Sequence, residues 1–139
     1  MKKLYTAVMT ASGGRTGSVS SPDGKYQFVL SMPKELRGDG GDGVNPELLF
    51  AAGYSACFHS AMKVVAAKNK TDIETSTVTA SVDIGMISGG GFGLAVTLTV
   101  KLPNMDGSAA NELVSAAHQI CPYSNATRNN IEVSLVVET

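Results

Sequence analysis

The chain has no tryptophan and little charge; Lys+Arg number 11 against 12 Asp+Glu, for a net charge of −1. That balance leaves neither a basic footprint for nucleic acid nor an acidic block. No segment offers the roughly 18 uninterrupted apolar residues of a membrane span. The start, "MKKLYTAVMTASGG", has the two lysines and small residues of a signal peptide, but its apolar part at 4–9 is too short and holds Thr6; it reads better as an opening strand. Cysteine is scarce too, with two in the chain. Without an export signal, a reducing cytoplasm is the expected setting, where a disulfide is transient and catalytic rather than structural.

Against these absences stands a hydrophobic fraction of 43% in 139 residues, enough for a real core and the length of one domain, 1–139. Alternation of apolar and polar residues predicts strands over 76–86, 94–102 and 131–138. The first two, joined by the glycine-rich "SGGGFG", read as a hairpin. Weaker strands are expected at 3–11 and 25–31, with a short one at 17–20. Asn45 suits a helix N-cap, Pro46 the first helical position and Glu47 the positive end of the helix dipole. The helix they open should run to about Lys68 and, being apolar nearly all round, should be buried. A second helix begins near Ser108, carries Leu113, Ala117, Ile120 and Cys121 at helical spacing, and is stopped by Pro122. Strands, helix, hairpin, helix and strand make an α+β domain.

Several motifs invite chemistry. "GDGGDG" at 38–43 matches a dinucleotide fingerprint, but no strand precedes it and no acid follows at the required distance, so it reads as a loop leading to Asn45. It fails as an EF-hand because Phe50 stands where the last ligand belongs. Cys57, His59, His118 and Cys121 have the composition of a zinc site. Yet Cys57 and His59, two apart on a helix, point about 200° apart, which opposes a shared ion; each His also reads as an ordinary hydrogen-bonding residue. Either cysteine alone packs as a small hydrophobe. Arg15, between glycines in "SGGRTG", is either a solvated loop residue or a cation placed to favour a neighbouring thiolate. Cys121 ends its helix at the negative pole of the dipole, so in a reacting pair Cys57 should be the nucleophile and Cys121 the resolving thiol.

The stretches "NPELLFAAGYSACFHSAM" and "CPYSNATRNNI", with the "GGR" loop and the glycine-rich "ELRGDGGDG", resemble the organic hydroperoxide resistance proteins of the Ohr/OsmC superfamily over the whole chain. The resemblance implies an intertwined homodimer in which an antiparallel-rich mixed sheet packs on a long buried helix bearing the first cysteine, with a shorter helix ending at the second. It implies a cytoplasmic thiol peroxidase that reduces organic and fatty-acid hydroperoxides and is itself reduced by a dithiol such as a lipoylated protein. It calls for no cofactor or metal and for no nucleic-acid or membrane partner. Cys57 in "YSACF" matches the peroxidatic cysteine, Cys121 the resolving cysteine, Arg15 the activating arginine and Glu47 in "NPE" the acid that orients it. Phe58 and Met62 are expected either to wall an apolar substrate pocket or to fill the core. Thr16 stands where the family usually has an acid, and Arg37 and Asp42 where glycines are expected. The rival readings are an OsmC-type peroxidase with another physiological role and a non-catalytic thiol- or metal-binding module.

Overall fold

The computed structural model describes residues 1–139, which separate into two compact units, Met1–Leu49 and Phe50–Thr139. In the first unit, three short strands, β1 (Thr10–Ser12), β2 (Ser18–Ser20) and β3 (Gln27–Val29), form an antiparallel sheet in that order. The strand expected at 3–11 thus shrinks to its last residues, and that expected at 25–31 loses both ends. Within the chain, residues 1–9 pair with no strand, and Leu4, Tyr5, Val8 and Met9 are exposed. The "GDGGDG" segment is loop, as read.

The helix α1 (Pro46–Asn69) opens in the first unit and continues through the second without a break. Its start is fixed as the sequence predicts: the Asn45 side-chain oxygen accepts the Leu48 N–H at 2.8 Å. By length and composition α1 could cross a membrane. Here Tyr54, Phe58, Ala61, Met62 and Ala66 give it one buried face. Burial all round is not met within one chain, because Leu48 and Val64 remain exposed.

The second unit holds the mixed sheet. β4 (Thr77–Met86) pairs antiparallel with β5 (Phe92–Lys101), the expected hairpin, and β5 pairs parallel with β6 (Glu132–Glu138). A parallel neighbour needs a crossover, and α2 (Gly107–Ile120) and α3 (Pro122–Thr127) supply it. The expected mixed sheet is thus present, and the first unit has a second, antiparallel sheet of its own. The core joins the buried face of α1 to Val96, Leu98 and Val100 of β5 and to Ala110, Leu113, Val114 and Ala117 of α2.

The helix α3 was not anticipated. Pro122 stops α2 as expected, and its fixed φ and missing N–H also suit the first position of a new helix.

Candidate active site

The two cysteines meet. Cys57, in the middle of α1, and Cys121, between α2 and α3, are both free, and the Cys121 thiol donates to the Cys57 sulfur at 3.6 Å. A disulfide is about 2.0 Å long, so this is a reduced pair about 1.6 Å short of bonding. The two thiols differ in access. Cys121 is fully buried, whereas Cys57 packs at the edge of the core and is only partly covered.

The helix dipole does not set the two thiols apart, contrary to the sequence expectation. Cys121 is the C-cap of α2 and also the N-cap of α3, so opposite helix poles meet at this residue and their fields oppose. What separates the thiols is access. Burial pushes the Cys57 thiol above its ordinary value, the Tyr123 backbone N–H pulls it down, and the adjacent Cys121 sulfur adds to the rise.

Arg15 and Glu47 lie in the first unit. Arg15 sits on a 3-10 turn, Gly14–Thr16, entered through Gly13 in the left-handed region at φ 76°. Its guanidinium forks onto Glu47 in the first turn of α1, Nη1 to Oε2 at 2.8 Å and Nη2 to Oε1 at 2.7 Å. The pair fixes both planes, as a bidentate contact does. The Arg15 hydrogen bonds hold the Glu47 carboxyl below its ordinary value, and Glu47 raises that of Arg15 in return.

The remaining candidates fall elsewhere. Phe58 and Met62 are fully buried in the core. His59 pairs through Nε2 with Ser76 Oγ at 3.0 Å, and His118 through Nδ1 with Ser124 Oγ at 2.9 Å. Each histidine thus takes the hydrogen-bonding role. No three His, Cys, Asp or Glu side chains gather as a metal site. Arg37 adopts a left-handed conformation, φ 63°, which is where a glycine would be at ease.

Sequence reasoning missed the surroundings of Cys121. Tyr54, one helical turn before Cys57, is fully buried, and its hydroxyl lies 3.0 Å from Ser124 Oγ and 3.1 Å from Thr127 Oγ1. The Tyr123 ring lies over α1 at Gly53, where a Cβ would come 2.8 Å from the Tyr123 hydroxyl. Gly53, a point at which α1 could have broken, is instead a place where another side chain approaches the helix closely. A turn-like "PYSNAT" opening on proline was the available signal for α3; nothing local marked Tyr54.

A family model described as OsmC-like protein matches residues 38–136. The chain is 53% identical over 137 residues to an organic hydroperoxide resistance protein of Xanthomonas axonopodis pv. citri, covering 98% of this chain and 96% of that one. It is 46% identical to OhrB of Bacillus subtilis over 133 residues, covering 95% and 96%. Among solved structures, an organic hydroperoxide resistance protein from Elizabethkingia anophelis superposes with a TM-score of 0.94 at 52% identity, covering 100% of this chain and 99% of the other.

Proposed function

The chain belongs to the organic hydroperoxide resistance family of OsmC-like proteins, and from that premise we propose that it is a cysteine-based peroxidase that reduces organic hydroperoxides to alcohols. The observation that carries this reading is the reduced Cys57–Cys121 pair at 3.6 Å, with one thiol reachable and the other buried.

The Cys57 thiolate attacks the terminal peroxide oxygen. The O–O bond breaks, the alkoxide leaves and takes a proton to become the alcohol, and Cys57 becomes a sulfenic acid. The Cys121 sulfur then attacks the Cys57 sulfur, the hydroxyl departs as water, and the disulfide closes. An external dithiol, of the dihydrolipoyl kind, reopens it by exchange and leaves as its own disulfide. Cys57 packs against the apolar core, and an organic group on the peroxide suits such surroundings.

Because burial holds the Cys57 thiol high, a cation must favour its thiolate. Arg15, preset by Glu47, fills that role in this reading. Glu47 and Cys57 lie on one unbroken helix, about 15 Å apart at 1.5 Å per residue. An arginine that grips one cannot touch the other on the same helix. The proposed site therefore takes Arg15 and Glu47 from one chain and the cysteines from a second copy. The exposed Leu4, Tyr5, Val8, Met9 and Val64 are the apolar surface such a homodimer would cover.

The test is steady-state turnover of tert-butyl hydroperoxide against hydrogen peroxide, with dihydrolipoamide or glutathione as reductant. Preference for the organic peroxide and the dithiol supports the proposal. Absence of turnover with either peroxide rejects it.

A further inference from the structure

Beside the cysteine pair runs a chain of polar side chains, buried except at its half-buried His118 end, that the chemistry above does not use. Its hydrogen-bond direction follows from counting protons. Thr127 has one hydroxyl proton, and its Oγ1 sits 2.9 Å from the Tyr123 carbonyl and 3.3 Å from that of Ser124. Carbonyls only accept, so the Thr127 proton is committed there. The Tyr54 hydroxyl at 3.1 Å must then donate to Thr127 Oγ1. Its proton spent, Tyr54 accepts from Ser124 Oγ at 3.0 Å. Ser124, its own proton spent, accepts from His118 Nδ1 at 2.9 Å. Neutral His118 is therefore the tautomer with the proton on Nδ1, and every link runs one way, from His118 through Ser124, Tyr54 and Thr127 to the Tyr123 carbonyl. A one-way chain in a dry interior polarises each link in turn. Ser124 and Tyr54 are fully buried and Thr127 nearly so, at 0%, 0% and 6% exposure.

The position of this chain gives it a purpose. It fastens α3 to α1 at Tyr54, one turn before Cys57, and to the last turn of α2 at His118. The carbonyl at which it ends belongs to Tyr123, whose backbone N–H pulls the Cys57 thiol down. Cys121 lies two residues before Tyr123, with its sulfur on Cys57.

We propose that His118, Ser124, Tyr54 and Thr127 are positioning residues, which hold α3 so that Tyr123 stays over α1 and the Cys121 sulfur faces Cys57. This rests on the peroxidase reading only for what that placement is used for. The alkylation measurement below needs no peroxide, so the two readings fail separately.

The experiment uses the full chain carrying Tyr54→Phe, His118→Leu or His118→Asn. An asparagine amide can place an N–H where Nδ1 was, whereas leucine cannot. Two quantities are read: the pH dependence of Cys57 alkylation by iodoacetamide, located by peptide mass, and the rate of disulfide closure after one equivalent of tert-butyl hydroperoxide. Thermal midpoints are recorded beside them. Tyr54→Phe and His118→Leu should shift the Cys57 alkylation profile to higher pH and slow closure between about tenfold and a hundredfold, the cost of misplacing a reacting group by about 1 Å. His118→Asn should keep both near wild type. Lower thermal midpoints with an unmoved Cys57 profile and unchanged closure would reduce the chain to plain structure and overturn the proposal. If Tyr54→Phe does not fold, the leucine and asparagine pair at His118 decides, and identical behaviour of those two refutes the assigned direction.

Discussion

The Arg15–Glu47 fork sets the first expectations. Glu47 is largely covered, at 13% side-chain exposure, and its carboxyl lies below the ordinary 4.5 because Arg15 donates to it. A carboxyl whose folded value is depressed contributes stability that is complete above about 4.5 and fades as pH falls through the lower, folded value. Glu47→Gln should thus flatten the acid limb of a plot of urea midpoint against pH below that point and leave the shape above it unchanged. An acid limb identical to wild type would show that the ion pair carries no such linkage. For Arg15 the expectation concerns Cys57: Arg15→Ala should move its alkylation profile to higher pH and slow its oxidation. Arg15→Lys should restore only part, since a lysine point charge cannot fork onto Glu47 and hold the thiolate as well. A profile unchanged in Arg15→Ala would count against Arg15 as the activating cation.

Among the elements, α1 and α3 depend on each other through the close approach at Gly53. Replacing an interior helix glycine by alanine stabilises by roughly 1 kcal/mol through backbone entropy. At Gly53 the new Cβ would stand 2.8 Å from the Tyr123 hydroxyl and 3.2 Å from its ring carbons, so the ring must move. Gly53→Ala should therefore gain less than expected, and the full gain should return when Tyr123→Ala is added. A double-mutant cycle by urea denaturation measures that coupling, and additivity would deny it. How far these elements can be read from the sequence follows local chemistry. Asn45, Pro46 and Glu47 place the start of α1, and strict alternation places β4, β5 and β6. The weak strands at 3–11 and 25–31 are mostly lost because short alternation does not supply a pairing partner. At Pro122 a single residue both stops one helix and starts another, and the local pattern signals the first role more plainly than the second. Tyr54, Ser124 and Thr127 look like ordinary side chains until α3 folds back on α1, a contact between residues far apart in sequence. The cysteine pair lies in the same class: local pattern makes each thiol a buried hydrophobe, and only family resemblance or the fold brings them together.

On the scale of the whole molecule, the unbroken α1 bears on where the active site is assembled. Inactive Cys57→Ser chains co-refolded with inactive Arg15→Ala chains should form heterodimers that regain one intact site, and with it up to half the wild-type activity per dimer. Heterodimers that form and stay inactive would place Arg15, Glu47 and Cys57 of a single chain in one site, against the helix geometry. In the proposed mechanism the oxidised state joins two thiols of one chain, because Cys57 and Cys121 already meet there. The most direct measurement is the intact mass and free-thiol count of each chain after one equivalent of tert-butyl hydroperoxide, for wild type and for Cys121→Ser. The account predicts that wild type loses two hydrogens and both thiols without linking chains, while Cys121→Ser gains one oxygen on Cys57 and stops there. Wild-type protein that keeps both thiols, or an oxygen that lands on Cys121 in preference to Cys57, would contradict it.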